Sequence, residues 1–221
     1  MGEGAAHSDA VEAAAFVLAL RARGVRAPAV LGAMERVPRD RFVPEAFRDL
    51  ARRDVALPLA CGQTMTAPSA IAAMLTALEP GPGARALEIG TGSGYATALL
   101  LRLGCAVVES LERYAMLAGD AQDRLDALGL AGSVRLRIAD GCAPEKDVTP
   151  FDRILINGAL PAIPDSLIQR LAPGGRLVGA IVTPLGVRVA VAERGPDGPQ
   201  RRILDTPLRI APLTPGRARV L

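Results

Sequence analysis

The chain has 221 residues, 50% hydrophobic and 22% charged, a balance that suits a globular domain with its own core and excludes a disordered or collagen-like chain. No run of about 18 apolar residues occurs, which excludes a membrane-spanning helix, and no basic-then-apolar secretory signal is read at the start. The net charge is only +3, from 26 basic and 23 acidic residues; the basic residues are scattered among acids, and 4 Phe with 2 Tyr are too few for a base-stacking platform, so neither nucleic acid nor membrane is an expected partner.

Residues 1–9 read as a flexible lead. Apolar residues at helical spacing predict helices over 10–22 and 28–36, the second opening on Pro28. Residues 37–50 carry Pro38 and Pro44 and predict a short helix after Pro44. Residues 1–80 thus form an N-terminal helical region with a loop, packed on an α/β core over 81–221 as one folded unit. In the core, strands are predicted at 84–90, 106–112, 133–139, 151–157 and 175–183, and helices at 94–103, 114–128 and 164–172. That alternation implies a doubly wound, mostly parallel, seven-stranded Rossmann-like sheet with right-handed crossovers. Only Pro184, Leu185 and Gly186 separate strand 175–183 from the extended residues 187–194, too few for a parallel crossover. A turn at 195–198 leads to another extended run, so the C-terminal strands are antiparallel.

The chemistry concentrates at ALEIGTGSGY, residues 86–95. A strand runs into Gly90, Gly92 and Gly94 and a helix follows, with Thr91 and Ser93 between the glycines. Such a turn exposes free N–H groups and lets a nucleotide-like ligand approach the backbone. The spacing is GxGxG, not the GxGxxG of a dinucleotide site, which disfavours a nicotinamide dehydrogenase. Glu88 precedes the turn. Glu112 ends the next strand about 20 residues on, the distance that suits a ribose contact. Asp140, followed by Gly141, ends the strand after that. Three acids at neighbouring strand ends repel a pyrophosphate and suit hydroxyls, an amino group, an ammonium and a sulfonium, the inventory of S-adenosyl-L-methionine. Each acid has a plainer reading beside this one: Glu88 as a solvent or capping acid, Glu112 as an ion-pair partner of Arg113, Asp140 as a turn residue. Arg113 and Asn157, the latter at a strand end facing the cleft, complete the candidate cofactor set; Asn157 also reads as a turn residue, and Tyr95 as a packing residue.

Thr66 precedes Pro68 in TAPSAIAAMLTALE and is expected as the N-cap of a helix whose start favours an anion. The only histidine is His7, in the lead, so the chemistry is expected to proceed without imidazole. Cys61, Cys105 and Cys142 are odd in number and form no CxxC pair, which argues against a disulfide framework or a thiolate metal site and suits the cytoplasm.

From Arg21 to Leu213 the chain resembles the protein-L-isoaspartate O-methyltransferase family, class I S-adenosylmethionine-dependent enzymes. The resemblance rests on MERVPRDRFVPEAF (34–47), LPLACGQTMTAP (57–68), LEIGTGSGY (87–95), FDRILINGALP (151–161) and LAPGGRLV (171–178). IAPLTPG (210–216) looks like the family's terminal strand. The glycine segment is shared by many methyltransferases, whereas CGQTMTAP is close to a family signature. The resemblance implies methyl esterification of L-isoaspartyl residues in damaged proteins and peptides, initiating their repair; a monomer is expected. It carries the active-site hydroxyl onto Thr66, where serine is more usual, and the substrate loop onto Gln63, Thr64, Met65 and Ala67. The chain departs from the family at Cys61, where glycine is usual, after Asp140, where an aromatic residue is often found, and at LRIAPL, which lacks an expected phenylalanine. Those departures leave two alternatives open: methylation of another peptide or small-molecule carboxylate, or a cofactor-binding relative without activity.

Overall fold

The computed structural model describes residues 2–143 and 149–218, with side chains from residue 10 onward. Helix α1 (Gly2–Ala22) opens the chain, so the expected flexible lead is helical from Gly2. Helix α2 (Pro28–Arg36) follows and buries Val30, Leu31, Ala33 and Met34. The prolines at 38 and 44 then break the backbone into 3-10 turns at Arg39–Phe42 and Glu45–Leu50, not an α-helix. A small antiparallel ribbon comes next, β1 (Leu57–Pro58) against β2 (Thr64–Met65), which periodicity did not suggest. Helix α3 (Pro68–Leu78) leads into the main sheet.

The α/β region runs β3 (Arg85–Ile89), α4 (Tyr95–Arg102), β4 (Val107–Glu112), α5 (Ala115–Ala127), β5 (Val134–Ile138) and β6 (Phe151–Leu160). It continues with α6 (Asp165–Ile168), β7 (Leu171–Thr183), β8 (Gly186–Gly195) and β9 (Gly198–Pro207). The 7-stranded sheet has the order β5-β4-β3-β6-β7-β8-β9. Its first five strands are parallel and the last two antiparallel. Two expectations fail here. The helix over 164–172 stops at Ile168, because Leu171 already pairs with Phe151 and Gly174 turns the chain at φ +73°. The terminal strand at 210–216 is absent as a strand: β9 ends at Pro207, and residues 210–216 pair with the sheet through an isolated bridge between Ala159 and Pro212. Pro212 has no N–H to continue a ladder.

Strand alternation sorts the core into two layers. Ala86, Val108, Leu155 and Val178 face one buried cluster with Phe16, Leu20, Ile71 and Leu99, drawing on α1 and α3–α5. Leu87, Ile89, Ile154, Ile156 and Leu177 face a second cluster closed by Leu167 and Ile168 of α6. Helices therefore flank both faces, unequally. The strand order reverses between β3 and β6, and a crevice opens beyond the carboxyl ends of these two strands, as expected of an open α/β sheet.

Candidate active-site cleft

The crevice is a cleft bounded by the glycine turn, the ends of β4–β6, the β2–α3 connection and the C-terminal segment. Gly90 begins the turn at φ +88°, and a Cβ there would stand 3.2 Å from the main-chain oxygen of Asn157 and 3.3 Å from Leu213 Cδ1. Only glycine accepts both that backbone and that crowding. At Gly94 the constraint is the backbone itself, φ +87°, since a Cβ there would meet Ala121 of α5 at an ordinary 3.4 Å.

The expected donor-side residues separate by position. Gly90, Thr91, Gly92, Ser93, Glu112, Arg113, Asp140, Gly141 and Asn157 line the cleft. Glu88 and Gly94 do not. Alternation along β3 turns Glu88 away from the second cluster and toward α4, where it is fully buried and accepts hydrogen bonds from the Thr97 and Ser110 hydroxyls. Burial pushes its pKa up to about 7, with the Glu112 carboxylate adding to the rise and the two hydroxyl bonds opposing it. Glu88 thus lies in the floor beneath the turn, outside the cleft lining. Thr91 also turns inward, its hydroxyl 2.6 Å from that of Ser110.

Glu112 clasps the site. Its Oε2 accepts from Gly92 N at 2.9 Å, and its Oε1 accepts from Arg113 N at 2.7 Å and Tyr114 N at 3.1 Å. Three of roughly four lone-pair positions of a carboxylate are then filled by backbone, which fixes the glycine turn against the start of α5. Asp140 Oδ1 accepts from Cys142 N at 3.0 Å and closes the turn after β5. The Arg113 guanidinium stacks on Tyr114 at 5.0 Å and donates to the Thr214 carbonyl at 3.2 Å, tying the C-terminal segment across the cleft.

On the opposite wall, Gln63, Thr64, Met65 and Thr66 line the cleft and Ala67 does not. Thr66 is not the N-cap of α3; that position is Ala67, with no side-chain cap. Nor is the start of α3 an open seat for an anion. Pro68 has no N–H, and Ser69 N donates to Asp54 Oδ1 at 2.8 Å. The Thr66 hydroxyl instead donates to Asn157 Oδ1 at 2.9 Å, and Asn157 Nδ2 donates to the Gly90 carbonyl at 3.3 Å. Cys61 sits in the loop before β2 with φ +57°, a left-handed conformation natural to the glycine that is usual there. Tyr95 packs edge-on against Phe42 at 5.4 Å and also lines the cleft.

Several lining residues carried no signal in the sequence. Tyr114 and the run Ile210–Thr214 border the cleft, the latter because Leu213 packs on Gly158, where a Cβ would meet its Cβ at 2.7 Å. Ala159 N donates to Ala211 O and Leu213 N to Ala159 O, at 2.9 and 2.8 Å. The glycine at 158 was visible, but its partner was not.

Among the described lining residues, the charged side chains are two carboxylates and one arginine, and that arginine is committed to Thr214 and Tyr114. The donor set fits a cationic ligand rich in hydroxyls and amino groups, and not a polyphosphate. No group of three or more His, Cys, Asp or Glu suited to a metal occurs among the described residues, and no described helix is long and apolar enough to cross a membrane.

Residues 11–199 match the family model described as protein-L-isoaspartate(D-aspartate) O-methyltransferase. A protein-L-isoaspartate O-methyltransferase of Xanthobacter autotrophicus is 42% identical over 221 residues, 100% of both chains. One of Azorhizobium caulinodans is 45% identical over 181 residues, 82% of each. In structure, a Plasmodium falciparum protein assigned as a protein-L-isoaspartate O-methyltransferase, crystallised with S-adenosyl-L-homocysteine, superposes with a TM-score of 0.80 at 20% identity, covering 90% of this chain and 97% of that one. At that identity the likeness is one of fold.

Proposed function

The chain belongs to the protein-L-isoaspartate(D-aspartate) O-methyltransferase family, and on that premise we propose that it methyl-esterifies the α-carboxylate of L-isoaspartyl residues in damaged proteins, the step that initiates their repair, with Thr66 positioning the acceptor. When bound, S-adenosyl-L-methionine supplies an electrophilic methyl group on a sulfonium. The observation that carries the reading is the placement of a hydroxyl, Thr66 Oγ1, one side chain away from the glycine turn, in a cleft that also holds the carboxylates of Glu112 and Asp140.

The residues divide the work. Gly90 and Gly92 keep the turn bare of side chains, Glu112 holds it in place, and Asp140 and Glu112 offer lone pairs to amino and hydroxyl groups. Ile89, Leu111 and Leu117 give an apolar floor for a flat ring. Thr66 faces this set from the β2–α3 connection. A carboxylate with a solution pKa near 4 is already ionised at neutral pH, so the cleft needs no base. That agrees with its lack of a histidine among the described lining residues. What the walls supply is orientation and exclusion of water, contributions that reach roughly 7–11 kcal/mol when geometry is favourable.

In this reading, residues 1–80 supply most of the acceptor wall and residues 81–221 the donor wall. The protein acts as a cytoplasmic monomer on protein and peptide substrates, with no nucleic-acid or membrane partner. The scattered arginines and the modest net charge support that part. The test is methyl transfer to a synthetic peptide containing L-isoaspartate and to its L-aspartyl twin. Transfer to the first alone is expected; equal transfer to both, or none to either, would overturn the reading.

A further inference from the structure

One side chain joins the two walls, and its chemistry fixes where the Thr66 proton lies. Asn157 Nδ2 faces the Gly90 carbonyl at 3.3 Å and Oδ1 faces Thr66 Oγ1 at 2.9 Å, across 91 residues of sequence. With the amide reversed, Oδ1 would confront a carbonyl oxygen, acceptor against acceptor. The orientation is therefore set, and Oδ1, which can only accept, takes the single proton of the Thr66 hydroxyl. The main chain of Thr66 is held as well. Its carbonyl accepts from Arg39 Nη2 at 3.2 Å, and the same guanidinium, 2% exposed, donates to Ala51 O at 2.6 Å and Val55 O at 3.2 Å.

A consequence follows for the acceptor. Toward the cleft, Thr66 Oγ1 presents lone pairs. A carboxylate also presents only lone pairs, so it can bind this hydroxyl only after the hydroxyl has released Asn157. The exchange is favourable because a charge-assisted bond replaces a neutral one. We propose that Asn157 is a positioning residue which holds the Thr66 proton while the cleft is empty of acceptor and cedes it to the incoming carboxylate. The inference rests on the reading of Thr66 as the acceptor-side hydroxyl. It assigns Asn157 to the acceptor wall, acting through Thr66, and not to the cofactor set in which the sequence placed it.

The exchange depends on Asn157 being a neutral acceptor. In Asn157→Asp, of nearly the same shape, the proton is held by a carboxylate and the incoming acid meets a like charge. Asn157→Leu keeps the branched shape at Cγ and removes both bonds. The experiment measures KM and kcat for an isoaspartyl peptide, and the Kd of S-adenosyl-L-homocysteine by calorimetry. It compares the wild type with Asn157→Asp, Asn157→Leu, Thr66→Val and the double variant Thr66→Val/Asn157→Leu. Asn157→Asp is expected to raise KM about 10-fold or more; because its second oxygen also confronts the Gly90 carbonyl, the S-adenosyl-L-homocysteine Kd is read on Thr66→Val, where it is expected to stay within about 2-fold and so reports an intact fold. The double variant is expected to lose no more kcat/KM than Thr66→Val alone, because Asn157 acts through the hydroxyl that Thr66→Val removes. Independent, multiplying losses in the double variant, an unchanged KM in Asn157→Asp, or a loss of S-adenosyl-L-homocysteine affinity in Thr66→Val that matches its loss of kcat/KM would overturn the proposal while leaving the activity standing. A wild type inactive on the peptide would remove both.

Discussion

The two walls of the cleft are built by different means. The donor wall is local: the glycine turn, the ends of β4 and β5 and the start of α5 come from one continuous stretch, and Glu112 bonds the turn to the residues that follow it. The acceptor wall is assembled from a distance. Arg39 reaches Thr66 across 27 residues and Asn157 reaches it across 91, while Asp54 meets the first turn of α3 across 15. A local wall is specified by spacing. A distant wall is specified by burial and is held by a few polar anchors, each of which matters more.

That contrast predicts where damage is costly. The largest effect is expected at Arg39, which no spacing singled out. Burial draws its pKa down to about 10, so it stays charged at neutral pH. Arg39→Met takes the donor from the buried Ala51 carbonyl and from the part-buried Val55 and Thr66 carbonyls. At about 1–3 kcal/mol for a buried group and less for the part-buried ones, the loss is roughly 2–3 kcal/mol, and Tm should fall by about 4–12 °C in a protein of this size. A melting curve unchanged within about 2 °C would show that the acceptor wall does not depend on this anchor.

The next effect probes the donor wall. Glu88 holds its proton in the folded protein up to about pH 7, against an ordinary value of 4.5. The folded state therefore binds more protons than the unfolded one between those values. The stability cost of this carboxyl is absent below pH 4.5, grows through the window and is complete above pH 7, with a slope of at most about 1.4 kcal/mol per pH unit. Glu88→Gln, which mimics the protonated form, should flatten Tm against pH between 5 and 8 relative to wild type and raise Tm at pH 8. Parallel curves for the two proteins would contradict the buried, neutral floor.

The smallest effect belongs to the loop before Thr66. Cys61 adopts φ +57° and ψ 26°, which costs a non-glycine residue on the order of 1 kcal/mol. Cys61→Gly should raise Tm by about 1–3 °C, less than the full strain because glycine also enlarges the unfolded ensemble. A fall in Tm would mean that the thiol packs well enough to outweigh the strain.

Legibility in the sequence follows the same division. The β3–turn–α4 unit, the acids at 112 and 140 and the antiparallel C-terminal strands were readable because each depends on neighbours in the chain. Glu88 was misplaced for a physical reason: being near a strand end does not say which face a side chain takes. Its register opposite Ser110 in β4 sends it to the floor, and that register becomes visible only when strands are paired. Thr66 was legible through the segment that carries it, but its partner Asn157, its anchor Arg39 and the competing Asp54 were not, since all three depend on how residues 23–69 fold against the sheet. Residues 210–216 look like a terminal strand only by resemblance to the family, while their prolines and the seat above Gly158 make them a strap over the cleft instead.

The independence of the two walls is tested most directly by Thr66→Ala, followed with two readouts on the same preparation: kcat/KM for the isoaspartyl peptide and Kd for S-adenosyl-L-homocysteine. Loss of one hydrogen bond to a charged acceptor, about 1.5–3 kcal/mol, predicts that kcat/KM falls roughly 10- to 100-fold while Kd changes less than about 2-fold and Thr66→Ser restores most of the rate. A proportionate loss of both quantities would contradict separate walls and make Thr66 a structural residue of a single shared site.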